Sequence, residues 1–209
     1  MADSTNRRIP PTAAVAQATI GPGHHGTLIG LEAFLVAEFE GGYRYELARG
    51  VIEATEIAEV QHGLVIMELT DGLALYVRDH PGVINYHPCA AGCRLIAPGI
   101  GSVRHPDHAI YLLPPPKGPR VWSRWLPQIV VEVIAEGSTR RDYVEKRGEY
   151  LRMGVLEYWI LDPRAGTMLV HQREGDTRAE VHVAIDGVYK THLLPGLEVL
   201  PADLLVPPE

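Results

Sequence analysis

One short apolar run with a charge inside it constrains this chain more than any other segment. Residues 128–135 read QIVVEVIA, and six of these eight residues are apolar. Such a run is short for a helix and rich in β-branched residues, so it reads as a buried strand. A buried strand needs a sheet around it and further layers over that sheet. Glu132 stands inside the run. An ionised carboxylate in a dry strand is costly unless it is paired or bound to metal. The alternative is that the strand's period of two turns Glu132 to a solvated face. The strand alone leaves both open.

The rest of the chain supplies layers for that sheet. Residues 1–26 are rich in Pro, Ala, Gly and Thr, and read as a flexible N-terminal arm. Thr27 is a candidate cap for a helix over LIGLEAFLVAEF, ended by Gly41 and Gly42. YRYELARGVIEATEI reads as a hairpin turning at Arg49-Gly50. A second helix is expected over EVQHGLVIMELTDGLALYVRDH, with Val60, Leu64, Met67 and Leu75 near helical spacing, closed by His80-Pro81-Gly82. VINYH, CRLIA and AIYLL are candidate strands, and the proline-rich PPPKGPRVWSR is a loop. After the 128–135 strand come a helix over RRDYVEKRGEYLRM ended by Gly154, the strand EYWIL, a turn at Asp162-Pro163, and the strands TMLVHQ and AEVHVAI. Mixed strands and helices place the chain in the α/β or α+β class, with one domain expected over residues 27–206.

Composition narrows the function. The chain has 209 residues and a net charge of -7. That balance argues against a non-specific nucleic-acid binder, which carries a basic surplus, but not against an enzyme that acts on nucleic acid. Two cysteines, Cys89 and Cys93, are too few for a disulfide scaffold. No apolar run approaches the ~18 residues of a membrane span, and the first residues lack a signal peptide's apolar core. A soluble, cytoplasmic protein is expected.

Two more residues join Glu132 as candidates. Asp107 follows Pro106 and directly precedes AIYLL's strand, although a Pro-Asp pair is also common in turns. Lys146 lies on the helix after the Glu132 strand, four residues beyond Asp142, where the plain alternative is a surface ion pair. Taken in order, the three suggest phosphodiester hydrolysis. Two carboxylates on neighbouring strand ends can hold Mg²⁺. A held ion polarises a phosphoryl oxygen and acidifies a water, and an ammonium offsets charge building on phosphorus. A zinc site from Cys89, Cys93, His105 and His108 fits poorly: the C-x3-C gap is one residue longer than that of zinc deaminases, no H-x-E precedes it, and structural zinc usually shows two well-spaced pairs; two buried free thiols fit better. His24-His25 is expected to be exposed, and Tyr158 and Trp159 to pack in the core. Arg140-Arg141 reads as a solvated helix start that could also touch a phosphate backbone.

Pro106-Asp107 followed 25 positions later by Glu132-Val133-Ile134 resembles the PD-(D/E)xK restriction-endonuclease-like superfamily. The segments TLIGLEAFL, YRYELARGVIEA, VRHPDHAIYL, IVVEVIAEGSTRRDYVEKRGEYLRMGVLEYWILDP and LLPGLEVLPADLL resemble, in that order, the Uma-type (Uma-two) family of endonucleases. The likeness runs from about Thr27 to Leu205. It implies an α/β fold with a restriction-endonuclease-like mixed β-sheet flanked by helices, and a homodimer. It implies an Mg²⁺ cofactor, for which Mn²⁺ can substitute, and nucleic acid, DNA first, as partner. Asp107 matches the motif aspartate and Glu132 the motif glutamate, both metal ligands. Glu46 matches an early acidic residue facing the same site, and the Val133 carbonyl would help to hold the ion. The third motif position is Ile134, and Lys146 stands where the family's displaced helical lysine is expected. His62 matches a frequent family histidine near the site. Two departures stand out: Ala135-Glu136-Gly137-Ser138 replaces Ser-Pro-Ser-Thr, and His108 replaces an apolar residue. They also keep open a second expectation, a catalytically inactive binding or dimerisation module on the same fold.

Overall fold

The structure, a computed structural model, describes residues 18–56, 60–89, 92–175 and 177–205. In chain order its elements are β1 (Thr19–Ile20), α1 (Leu31–Val36), β2 (Glu38–Phe39), β3 (Tyr43–Ala48), β4 (Val51–Glu56), α2 (Val60–Asp79), β5 (Leu95–Ala97), β6 (Ser102–Arg104), β7 (His108–Ile110), β8 (Ile129–Val133), α3 (Arg147–Met153), β9 (Glu157–Asp162), β10 (Thr167–Glu174), β11 (Thr177–Val183), β12 (Tyr189–Lys190), β13 (Glu198–Val199) and α4 (Pro201–Leu205). A π-helical stretch, Arg141–Lys146, leads directly into α3. The larger sheet has the order β11-β10-β9-β8-β7, and a second has the order β4-β3-β6-β5. β8 and β9 run parallel while the other neighbours in the larger sheet are antiparallel, so the sheet is mixed. A parallel pair needs a crossover, which the π turn and α3 provide.

All five residues of β8 are buried, as are those of its neighbours β7 and β9. Period two divides the β8 residues. Ile129, Val131 and Val133 join the core under α2 and the C-terminal tail, with Trp159, Leu161 and Leu194. Val130 joins the opposite core with Tyr150, Tyr158 and Ile160. Both faces are therefore covered, and Glu132 points toward α3 rather than to solvent. Tyr158 and Trp159 are core residues on opposite faces of β9, as the sequence suggests.

The hairpin turns where the sequence places it. Arg49 and Gly50 have φ of 51° and 85°, the two left-handed residues of a type I′ turn. Other expectations need correction. Thr27 caps no helix, because Gly26, Thr27 and Ile29 pair with the backbone of Gly50 and Ile52. That pairing keeps the chain extended past residue 29, so α1 starts at Leu31 and ends at Val36, before Gly41 and Gly42. The 1–26 arm is not wholly irregular: β1 pairs with β2, and Pro22–His24 forms a 3₁₀ turn. Residues 1–17 lie outside the described residues, and His24 and His25 are exposed.

α2 forms as expected, though residue 59 lies outside the described residues, but it buries a different face. His62, Val65, Leu69, Leu73 and Tyr76 pack inward. Val60, Met67 and Leu75 are exposed at 82%, 48% and 55%. Both stripes have helical spacing, so periodicity alone could not choose between them. VINYH contributes only an isolated bridge from Tyr86 to Tyr111. Cys89 is exposed and Cys93 buried, so only one of the two free thiols is covered. Among the described residues no helix is long and apolar enough to cross a membrane.

Candidate active site

The antiparallel register pairs His108 with Val131. One step further along this ladder, Asp107 lies opposite Glu132, so the two acids share a face of the sheet. Asp107 is buried, and both of its oxygens have partners. Its Oδ1 accepts from Arg44 at 2.8 Å. Its Oδ2 contacts His62 Nε2 at 2.9 Å and accepts the Val133 N–H at 2.9 Å. In an antiparallel ladder a residue's N–H and C=O point to the same side, so the Val133 carbonyl lies on the Asp107 side of β8. Burial raises the Asp107 carboxyl, but the His62 hydrogen bond and the Arg44 charge outweigh it and hold the group well below the usual carboxylate range.

Glu132 meets Lys146 across the sheet–helix interface. Lys146 Nζ lies 2.9 Å from Glu132 Oε1, which also accepts from Tyr150 at 2.6 Å. Lys146 reaches Asp142 at 3.4 Å and Glu46 at 3.5 Å. The π turn buries Asp142 and Lys146 together, both near 1% exposed, so the expected surface pair is an interior one. Such turns recur at functional sites. Burial drives the Glu132 carboxyl up to about 8 despite Lys146, with Asp107, Asp142 and Glu46 adding to the rise. Burial opposes the Lys146 charge, but Glu132, Glu46 and Asp142 hold the ammonium firmly protonated.

Glu46 completes the set from β3. The His105 N–H donates to its Oε1 at 2.6 Å, and Arg104 to its Oε2 at 3.2 Å. Burial pushes this carboxyl up, while Lys146 and Arg104 bring it down to about 2. Arg104 is itself buried and also binds Glu53 and, through two nitrogens, Glu149. The fold thus gathers Asp107, Glu132, Lys146, Glu46, Val133 and His62 into one cluster. It adds Arg44, Arg104, Asp142, Glu149 and Tyr150, which the sequence reading did not assign to the site. Asp142, Lys146 and Glu149 do follow helical spacing, so an inward charged face was a signal available in the sequence.

A cleft of about 470 Å³ opens beside Asp107, lined among others by Arg44, His62, Ser138 and Arg141. The variant loop lies here. Gly137 takes φ of 75°, and Ser138 Oγ accepts the Ala135 N–H at 3.1 Å. Glu136, the extra acid, turns to Arg164 at 3.0 Å and leaves the acids undisturbed. Arg140 is exposed, whereas Arg141 is a quarter exposed and faces the cleft.

The donor set suits a hard divalent cation. Glu132 Oε2 accepts no hydrogen bond among the described residues. Mg²⁺ is commonly held by one or two carboxylates and waters, so the fit rests on the Asp107–Glu132 pair: among the described residues no group of three or more His, Cys, Asp or Glu is placed to hold a metal ion. That finding covers Cys89, Cys93, His105 and His108 too, whose zinc reading gains no support. His105 Nδ1 contacts the Cys93 carbonyl, and His108 stacks on His87.

No curated protein matches the sequence. Among solved structures, a nuclease described as "putative" from Anabaena variabilis ATCC 29413, belonging to DUF820, is similar at a TM-score of 0.69 and 16% identity; the match covers 85% of this chain and 97% of that one. At that identity the likeness speaks for the fold. The family model Uma2, described as "Putative restriction endonuclease", matches residues 31–204. With that match spanning the acids, the lysine helix and the C-terminal tail, the chain belongs to the Uma2 family of nucleases.

Proposed function

We propose that this protein is an Mg²⁺-dependent endonuclease that hydrolyses phosphodiester bonds in DNA, with Mn²⁺ able to replace Mg²⁺. The observation that carries this reading is the meeting of Asp107, Glu132 and Lys146 beside a cleft that Arg44 and Arg141 line together with Glu56 and Glu136. Asp107 and Glu132 would hold the ion, with Glu46 behind them and the Val133 carbonyl at their side. Bound there, the ion would supply Lewis acidity toward a phosphoryl oxygen and a water. Lys146 fixes Glu132 and Glu46, and its ammonium places positive charge near the reacting phosphate. Arg141 and Arg44 present guanidinium groups to a phosphate backbone despite the chain's net charge of -7. His62 keeps Asp107 oriented through Oδ2.

The test is cleavage of DNA and RNA, linear and circular, with Mg²⁺, Mn²⁺ or EDTA. Cutting that needs the metal and falls at least ~100-fold in Asp107→Ala and Glu132→Gln supports the reading. Cutting that survives both substitutions sinks it. Binding of DNA with no cutting under any metal would favour the inactive module on the same fold.

A further inference from the structure

The cations that pair with the three central acids differ in exposure. Lys146 and Arg104 are fully buried, and each is held by several carboxylates. Arg44 is different. Its side chain is 29% exposed at the cleft, and NH1 alone makes its contacts, to Asp107 Oδ1 at 2.8 Å and to the His105 carbonyl at 3.3 Å. Its Nε and its other terminal nitrogen make no hydrogen bond among the described residues. The two Asp107 oxygens differ as well. Oδ2 has both lone-pair directions occupied, by His62 and the Val133 N–H, whereas Oδ1 carries Arg44 alone. A divalent ion reaching Asp107 must therefore use Oδ1, where it meets a guanidinium of like sign.

We propose that Arg44 is a cation placeholder: it occupies Asp107 Oδ1 while the metal is away, leaves when the ion binds, and then holds a substrate phosphate in the cleft. This rests on the metal-dependent reading above. The placeholder keeps a buried carboxylate paired in the metal-free protein, where an unpaired charge is strongly destabilising. Once displaced, a planar guanidinium with free donors at the cleft mouth suits a phosphate better than it suits a second cation.

The experiment measures Mn²⁺ binding to the full chain by calorimetry for wild type, Arg44→Met, Arg44→Lys and Asp107→Asn. Thermal melts are run with and without Mn²⁺. Arg44→Met should bind Mn²⁺ at least ~10-fold more tightly than wild type and gain more in Tm from the ion. Its affinity for a short DNA duplex should fall, with a salt slope smaller by about one. Arg44→Lys should stay near wild type in duplex affinity. Should Arg44→Met fail to fold, NMR of the Arg44 Nε–H in wild type replaces it: the signal must shift as Mg²⁺ is added. Unchanged or weaker Mn²⁺ affinity in Arg44→Met, or an unmoved signal, overturns the placeholder alone, provided Asp107→Asn loses the ion. Equal Mn²⁺ affinity in wild type and Asp107→Asn overturns the metal reading and the placeholder with it.

Discussion

His108 follows Asp107 directly, yet alternation along the strand sends its ring to the other face, where it stacks on His87. The ring is fully buried and neither nitrogen has a hydrogen-bond partner among the described residues. Burial, then the neighbouring His87, lowers its pKa from 6.5 to about 4. The unfolded chain therefore takes up a proton below pH 6.5 that the folded chain refuses until about pH 4. Stability falls as pH drops through that window, by roughly 3 kcal/mol for a shift of this size. Urea unfolding between pH 7 and 4 should show the loss, and His108→Leu should remove most of it. The same variant should gain about 1–3 kcal/mol at pH 7 if Leu fills the space, because two orphaned polar atoms disappear. Unchanged acid sensitivity in the variant would assign the loss to other groups. Glu132 was legible in the sequence because a charge inside an apolar run is anomalous. Arg44 was not, since an arginine in YRYEL looks like the outward residue of a half-buried strand. Its partner lies 63 residues away, beyond any local pattern.

Among the elements, α2 and the turn before α3 carry the same lesson in opposite directions. α2 has two apolar stripes, and the one that packs contains His62, the residue that reaches Asp107. Burial assigns different weights to neighbouring leucines: Leu73 is 1% exposed and Leu75 is 55% exposed. Leu73→Ala should cost about 2–5 kcal/mol in chemical denaturation, and Leu75→Ala no more than about 0.5 kcal/mol. A larger loss in Leu75→Ala than in Leu73→Ala would mean that the expected face, not the observed one, is packed. The 141–153 helix inverts the usual rule: Asp142, Lys146 and Glu149 face inward while Val144 is 62% exposed. Hydrophobic patterning sends charges outward, so it fails where a fold spends stability to collect charge at a site.

At the scale of the whole molecule, the larger sheet separates two cores, and the site lies where the β3–β6 sheet, the β7–β8 edge and the 141–153 helix meet. The C-terminal tail closes the first core, with Leu194 fully buried and the Pro195 carbonyl accepting from Tyr76. Thr191 and Tyr189 bind the buried Glu157, which ties this tail to β9. Cys93 lies within the second core, and burial pushes its thiol well above the usual range, whereas Cys89 is exposed. A colorimetric thiol reagent should therefore titrate one cysteine in the native protein and two after denaturation. Two fast-reacting thiols in the native state would show that the second core opens readily.

The sequence by itself determined the elements whose code is local. These are the buried β8 strand, the left-handed pair at Arg49-Gly50, the lengths of α2 and the 141–153 helix, and the order of aspartate, glutamate and lysine along the chain. Only the tertiary structure decided which stripe of α2 is covered, that Thr27 stays extended against β4, that the Asp142–Lys146 pair is interior, and that Arg44 and Arg104 join the acids. The division has a physical cause. Periodicity specifies how side chains alternate around a backbone, but not which side another layer will cover. Ion pairs between distant segments leave no mark in either segment until folding removes the water between them.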